Sequence, residues 1–340
     1  MHRAALLLGA ASVAATALGA CGSGQDPSLG REASPTTTTT AAAAVAGPDP
    51  TTTAASPPTE PAQTSVVAAP ATTTTTTPPA DVRPVAAGDP AGLAAQLVEV
   101  DRTIHDPGVA PAALAAAAHL QQVALRRLVD NPAWDAEVAD RVGATLAPVV
   151  AANVGAGREL RQLVRNPKAT LPAWRIVEAA PADELRSLYE AGQAEFGVPW
   201  QYLAGVHLTE TRMGRLRGVS TAGARGPMQF IPSTWAAYGE GDIESDRDAI
   251  RAAARYLAAN GGDCRPGARC DLDNALFRYN PTPRYVNAVK AYAEQMRADE
   301  RSYLAYHGWQ VYYLTTLGDV WLPVGYEATE ERPVTPADVG

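Results

Sequence analysis

The chain has 340 residues, a formal net charge of −8 and three cysteines, together with 28 glycines and 28 prolines. An acidic chain has no bulk attraction to nucleic acid or anionic lipid, so nucleic-acid partners are excluded, and three cysteines are too few for a cysteine-cluster metal domain. At roughly 150 residues per domain the length predicts about two domains, and the glycine and proline content predicts an unpacked part.

The first 20 residues have the features of an export signal. A basic start at Arg3 precedes an apolar run over residues 4–17, which is shorter than the roughly 20 residues that a membrane crossing needs. The run therefore predicts a signal peptide over residues 1–20. Leu18-Gly19-Ala20-Cys21 follows and resembles the lipobox of bacterial lipoproteins, including the actinobacterial type.

The lipobox resemblance implies that Cys21 is lipidated and becomes the new N-terminus. Two acyl chains give stable membrane attachment, so the expected location is the outer face of the cell membrane. Ordinary secretion, with Cys21 as a bystander, is the alternative.

Residues 21–88 form a low-complexity tract of Thr, Pro and Ala, with threonine runs at 36–40 and 72–77. A segment with almost no large apolar side chains cannot offset its ordering entropy, so we expect a disordered linker. Its composition is typical of O-glycosylated stalks. Whether it is a functional tether or neutral filler, it would hold the folded part away from the membrane.

Residues 89–168 show helical spacing of Ala, Leu and Val, interrupted by prolines. We expect three or four short helices without catalytic groups. Asn131-Pro132 predicts a helix start, with Asn131 as the cap and Pro132 in the first turn. His105 and His119 have no partner pattern nearby and are interpreted as surface or core residues.

Two further helices are expected at 181–196, closed by Gly197, and at 198–213. In the second, an apolar face carries one acid, because Leu203, Val206, Glu210 and Met213 recur at spacings of 3, 4 and 3. A carboxyl on an apolar face has a raised pKa, as a general acid requires. Alternatively, Glu210 lies at the helix end and reaches water.

A glycine-rich segment follows, from Ser220 to Trp235, and contains an apolar stretch around Gln229. Small residues let the backbone approach a ligand closely. A buried amide such as that of Gln229 must find partners, and sugar groups would serve.

At this point the sequence resembles the lytic transglycosylases of the lysozyme-like superfamily, over residues 171–296. The resemblance is of the soluble lytic transglycosylase type, with some likeness to the membrane-bound transglycosylase B branch. Four motifs carry it in order: Thr209-Glu210-Thr211-Arg212-Met213-Gly214, then Ser220-x-x-Gly223-Ala224-x-Gly226-x-Met228-Gln229, then Ala252–Leu257, then Arg278-Tyr279-Asn280-Pro281 with Tyr285-Val286. The departures are Thr211, Pro227 and Pro281-Thr282-Pro283.

The resemblance implies that Glu210 is the general acid and then the base. It implies that Ser220 and Gln229 line the cleft near an N-acetyl group, and that Tyr279 and Asn280 orient Glu210 or the sugar. The expected partners are the glycan strands of peptidoglycan. The expected reaction cleaves the bond between N-acetylmuramic acid and N-acetylglucosamine and closes a 1,6-anhydro ring.

That ring closure needs no second carboxylate, because the nucleophile is the sugar's own 6-hydroxyl. A hydrolytic muramidase would need one, and Asp242, Glu244 and Asp246 are the nearby candidates. Asp246 is interpreted as the cap of the next helix, and the other two as solvated loop acids. A catalytically silent glycan-binding scaffold is the third hypothesis. No cofactor and no metal are expected, because His207 and Glu210 lack the spacing of a zinc-protease helix.

In an exported chain, Cys264 and Cys270 are expected to form a disulfide between two helices. The aromatic-rich extension at 299–340 contains an alternating pattern at 309–322, which predicts a β-hairpin with a longer turn. It either packs on the catalytic domain or lines a glycan cleft. The expected fold is thus mainly α, with a lysozyme-like catalytic domain at 169–298.

Overall fold

The computed structural model describes residues 83–339, which belong to one compact unit. The predicted signal peptide, Cys21 and the linker up to residue 82 lie outside the described residues. Within 83–339 the chain is mainly helical, which confirms the predicted class. The helices, in order, are α1 Pro90–His105, α2 Pro111–Asp130, α3 Asp135–Arg161, α4 Ala182–Phe196, α5 Trp200–Thr211, α6 Pro232–Tyr238, α7 Asp246–Leu257, α8 Leu272–Tyr279, α9 Pro283–Ala298, α10 Glu300–Gly308 and α11 Pro336–Val339.

Short strands tie distant parts of the chain together. They are β1 Thr170–Leu171, β2 Arg175–Ile176, β3 Leu216–Arg217, β4 Val311–Thr315, β5 Gly318–Leu322 and β6 Arg332–Pro333. β1 pairs with β6, β2 with β3 and β4 with β5, all antiparallel. None of the described helices has both the length and the apolar character that crossing a membrane requires.

The predicted helical segment forms three helices that cover one side of α9. α3 packs along α9, and α1 and α2 pack on α3. α3 is kinked at Gly143, whose φ of 83° is not helical. Asn131 precedes a 3₁₀ turn at Pro132–Trp134, but its side-chain amide donates to the carbonyl of Arg127 in the preceding helix. Asn131 thus ends α2 and does not cap the next helix with its side chain, contrary to the prediction.

The centre of the molecule is α5, which packs against α4, α7 and α9. Gly205 allows the close approach to α9, because a Cβ there would meet the carbonyl oxygen of Val289 at 3.2 Å. α4 ends as predicted at Gly197, in the left-handed conformation. α5 begins two residues later than predicted, directly after Pro199, and it ends two residues earlier.

One hydrophobic core runs through all three regions that the sequence distinguishes. It includes Leu93 and Leu128 from the N-terminal helices, Leu203 and Tyr285 from the centre, and Trp309 from the C-terminal extension. A second cluster lies under the hairpin β4–β5, where Val311 and Tyr313 pack with residues of β1–β3. Burial of these side chains is the main source of the stability of the fold.

The hairpin itself is confirmed, but its turn is shorter than predicted. Thr315 pairs with Gly318, so the turn contains only Thr316 and Leu317. The hydroxyl of Thr315 donates to the carbonyl of Gly318, and Gly318 has a φ of 120° that favours glycine. The hairpin packs on the body of the protein, where Tyr312 and Tyr313 are buried.

Candidate active site

Glu210 lies in the last turn of α5 and is 2% exposed. All residues from Tyr202 to Thr211 are buried, so the burial of Glu210 agrees with the prediction, although the helix is enclosed on every side and not on one face alone. The hydroxyl of Tyr285, in the first turn of α9, donates to the Oε1 atom of Glu210 at 2.7 Å. The acid is therefore held in the interior by a phenol.

A second phenol lies parallel to the first. The rings of Tyr279 and Tyr285 are 6.4 Å apart with an interplanar angle of 4°. Burial, and then the charge of Glu210, raise the pKa of each phenol well above 10. Both therefore stay protonated at neutral pH, and the hydroxyl of Tyr279 donates to the carbonyl of Met228 at 2.6 Å. Of the two predicted positioning residues, Tyr279 thus lies beside Tyr285 and binds the glycine-rich loop, not Glu210.

Tyr285 contacts Glu210, and sequence reasoning assigned no role to this tyrosine. The sequence carried one signal for it, the Tyr285-Val286 pair at the end of the fourth motif. Asn280 is buried at the C-terminal end of α8, and its carbonyl accepts from Thr282. It therefore lies in the short connection between the two tyrosines. Thr282 caps α9 with its side chain and Pro283 occupies the first turn, which gives the unusual Pro281–Pro283 sequence a structural role.

The loop over residues 220–230 is built from backbone conformations that few residues adopt. Gly226 has a φ of 73°, and a Cβ there would lie 1.9 Å from the carbonyl oxygen of Ile243. Only glycine fits this approach. The loop is joined to α5 because the hydroxyl of Thr211 donates to the carbonyl of Pro227 at 2.6 Å. Thr211 thus fixes the loop directly beside Glu210.

The two predicted ligand-contacting residues of this loop are both buried, and they differ in how their polar atoms are used. The hydroxyl of Ser220 accepts from the amides of Ala222 and Ala224, so it holds the turn. Gln229 has a φ of 51° and its Nε2 donates to the carbonyl of Gly226. Its Oε1 has no hydrogen-bond partner within residues 83–339. An acceptor left open in the interior is suited to a donor from a ligand.

A left-handed turn follows Glu210. Arg212, Met213 and Gly214 have φ values of 54°, 56° and 82°. A Cβ on Gly214 would lie 2.8 Å from the Oδ1 atom of Asp246, so glycine is required where this turn meets α7. The three consecutive positive φ values end α5 at Thr211.

Asp246 is not the cap of α7, and that prediction is wrong. The cap is Ser245, whose side chain accepts from the amide of Asp248, and Asp246 is the first helical residue. Its carboxylate is turned inward, where it binds Arg217 at 3.3 Å and lies 3.6 Å from the Nε2 atom of His207. Burial lowers the pKa of His207 to about 3, so this histidine is neutral.

Asp242 and Glu244 are exposed loop residues, as predicted, and the carboxylate of Asp242 accepts from the amide of Glu244. Among the described residues, Glu210 is the one carboxylate whose charge acts on both Tyr279 and Tyr285. No group of three or more His, Cys, Asp or Glu side chains in this part of the chain is arranged to hold a metal ion. The site brings together one enclosed carboxyl group and a phenol that donates a hydrogen bond to it.

Cys264 and Cys270 form the predicted disulfide in the connection between α7 and α8, with their Cα atoms 4.5 Å apart. Comparison of the chain with family models, with curated proteins and with solved structures finds no match.

Proposed function

We propose that the chain is a peptidoglycan lytic transglycosylase that cleaves the bond between N-acetylmuramic acid and N-acetylglucosamine. The observation that carries the proposal is the environment of Glu210, a carboxyl group enclosed at the end of α5 and bonded to the phenol of Tyr285. Burial disfavours the charged form of a carboxyl group, which favours a proton donor. The order of the motifs around it supports a lysozyme-like catalytic domain.

In the proposed mechanism, Glu210 donates its proton to the oxygen of the leaving sugar. The muramoyl N-acetyl group stabilises the oxocarbenium-like centre, and Glu210 then accepts the proton of the 6-hydroxyl. That hydroxyl closes the 1,6-anhydro ring, so the nucleophile belongs to the substrate. A single enclosed carboxyl group, hydrogen-bonded to the phenol of Tyr285, fits this reaction better than hydrolysis, which uses a pair of carboxyl groups.

We further propose that Gln229 contacts the N-acetyl group. Its open Oε1 is an acceptor, and the amide N–H of an N-acetyl sugar is a donor of the matching kind. Ser220, whose hydroxyl holds the turn, would act on the ligand by shaping the loop. Tyr279 and Asn280 would act by placing the glycine-rich loop and the start of α9.

Glu210→Gln tests the proposal. Glutamine keeps the size and hydrogen bonding of the side chain but cannot donate the proton, so we expect no release of muropeptides from purified cell wall while the circular dichroism spectrum is unchanged. Glu294→Gln is the matched control, because Glu294 also accepts from a tyrosine hydroxyl, that of Tyr202 at 2.9 Å. Near wild-type release by the Glu210 variant would contradict the assignment.

Mass spectrometry of the wild-type digest decides the reaction. Anhydro-muropeptides are expected from transglycosylation, reducing ends would show a muramidase, and absence of both products would show a non-catalytic glycan-binding protein.

We also propose that the protein is anchored to the outer face of the cell membrane by a lipid on Cys21. Cys21→Ala should therefore move the protein from the membrane fraction to the soluble fraction, as measured by immunoblotting of separated fractions. The matched control is Cys264→Ser, which removes a cysteine from the folded part. Retention of the Cys21 variant in the membrane fraction would contradict the anchor.

A further inference from the structure

Arg212, two residues after Glu210, is a buried cation without an acidic partner. It is 6% exposed, its Nη1 donates to the carbonyl of Leu208, and its Nε has no hydrogen-bond partner within residues 83–339. The charged and polar groups that act on it are Tyr292 and Arg126, neither of which is a carboxylate. The guanidinium is therefore enclosed without a counterion from the described chain.

Such an arrangement is costly. Burial lowers the pKa of Arg212 only to about 10, so the group is charged at neutral pH. An isolated buried charge destabilises a fold strongly unless it is paired. The C-terminal end of α5 offers the partial negative charge of a helix terminus, which is about half an elementary charge and does not complete the pairing.

Arg212 lines a cavity between α2, α3 and α9. Its volume is about 50 Å³, and its walls include Arg126 and Arg161 together with the amide side chains of Gln122 and Asn153. A water molecule needs roughly 10–15 Å³ by this measure, so the cavity has room for a few atoms and not for a large ligand.

The charges around the cavity do not balance. Arg126 and Arg161 both bind Asp319, at 2.6 and 3.1 Å, and Arg161 also binds Asp130 at 2.9 Å. Three guanidinium groups thus face two carboxylates, and the charge left over is that of Arg212. Neither carboxylate is part of the cavity wall, so nothing acidic in the wall would repel an anion.

We propose that this cavity is a binding site for a small monovalent anion that pairs with Arg212. Chloride and the carboxylate of formate share the required charge and size. The anion would complete the hydrogen bonding of the guanidinium and join α5 to α2 and α3, which stabilises the contact between the N-terminal helices and the helix that carries Glu210.

The test is the melting temperature of the full chain at constant ionic strength, as sodium gluconate is replaced by sodium chloride or by sodium formate. Because a ligand that binds only the folded state stabilises it, we expect a saturable rise of a few degrees. A rise with formate alone would identify a carboxylate site. Equal melting temperatures in all three salts would overturn the proposal.

Variants assign the effect to this cavity. Arg212→Met should remove the dependence on chloride or formate. Arg215→Met is the matched control and should retain it, since Arg215 is also a buried arginine with open donors but does not line the cavity. Glu210→Gln should retain it as well, so failure of the anion site and failure of the proposed catalysis remain distinguishable.

A second measurement on the wild-type chain needs no folded variant. The ³⁵Cl NMR line of chloride should broaden in the presence of the protein and narrow again when bromide is added as a competitor. If formate stabilises the protein, it should narrow the line too. A chloride line of unchanged width, in a protein whose stability also ignores formate, would show that Arg212 acts only as a helix cap.

Discussion

Glu210 and Tyr285 are 75 positions apart in the sequence, and their hydrogen bond is the most specific contact in the candidate site. The burial of Glu210 could be predicted from the apolar spacing together with the motifs that follow it, since the spacing alone left open a position in contact with water. The partner could not, because it depends on how closely α5 and α9 pack. That distance is set at Gly205, where the missing side chain allows contact with the backbone at Val289.

We predict that Tyr285→Phe lowers the initial rate of muropeptide release by roughly 10- to 100-fold. Glu210 becomes a carboxylate as it donates its proton, and the hydroxyl of Tyr285 then stabilises that charge. A hydrogen bond to a charged group contributes about 1.5–3 kcal/mol, and each 1.4 kcal/mol corresponds to a factor of ten. Tyr202→Phe is the matched control, because it removes the bond to Glu294, outside the candidate site. Equal rates in the two variants would show that Tyr285 has only a structural role.

The error at Asp246 has a physical reason at the same scale. Both Ser245 and Asp246 are good capping residues, and sequence preference does not distinguish them. The fold does, because Arg217 binds the carboxylate of Asp246 and draws it toward the interior beside His207. Ser245 is then left to cap α7.

At the scale of elements, α9 connects the candidate site to the N-terminal helices. Its first turn carries Tyr285, and the neighbouring residues Arg284 and Asn287 both bind the carboxylate of Glu159 in α3, at 2.8 and 3.0 Å. The helical spacing of residues 89–168 predicted their helices but not this contact. Surface charges on two helices do not reveal their partners until the packing is known.

The free energy by which the disulfide stabilises the fold depends on the size of the loop that it closes. Cys264 and Cys270 are six positions apart, and the chain-entropy relation for a loop of this size gives about 2 kcal/mol. We predict that Cys264→Ser combined with Cys270→Ser lowers the melting temperature by about 4–8 °C and leaves cleavage of cell wall intact. Scanning calorimetry and the digestion assay measure the two effects.

The control for the double variant is the wild-type protein melted in the presence of a reductant, which should show the same shift. Loss of all activity with a retained fold would contradict the prediction. It would show that this loop, which precedes α8 and its Tyr279, shapes the site directly.

At the scale of the whole molecule, the two ends of the described chain meet. The guanidinium of Arg83 donates to the carbonyl of Val339, and β6 near the C-terminal end pairs with β1 in the middle of the chain. The sequence predicted a mainly helical body and a terminal hairpin, since these follow from local patterns. It did not predict the pairing of two-residue strands, because such short segments have no periodicity and form only where the fold brings them together.

The pKa of His119 depends on the contact between the N-terminal helices and the hairpin, because that contact buries the side chain. His119 lies in α2, and its Nε2 is 2.8 Å from the hydroxyl of Tyr312 in β4. Burial, with smaller contributions from Arg83 and Arg215, lowers its pKa to about 4, from an ordinary value of 6.5. Between pH 6.5 and 4 the unfolded chain therefore binds a proton at this residue that the folded chain does not.

It follows that the free energy of unfolding falls with decreasing pH in this window, by up to about 1.4 kcal/mol per pH unit from His119 alone. We predict that His119→Gln removes this contribution, so that urea unfolding of the variant between pH 6.5 and 5 depends less on pH than that of the wild type. If the free energies of unfolding of the two proteins changed equally with pH, His119 would titrate normally in the folded protein. Its contact with Tyr312 would then be open to water.

His105→Gln is the control with the opposite sign. His105 binds Asp299 at 2.7 Å, and its pKa is raised by this hydrogen bond and by Asp101, which outweigh its desolvation. Its contribution to stability is fully present below pH 6.5 and is lost as the pH rises through its folded pKa. Removing His105 should therefore take away a gain in stability that the wild type shows as the pH falls to 6.5, and should leave the slope between pH 6.5 and 5 unchanged. Removing His119 should make the loss of stability between pH 6.5 and 5 shallower. The two histidines thus act in opposite directions and on opposite sides of pH 6.5, because the folded chain lowers the pKa of His119 and raises that of His105.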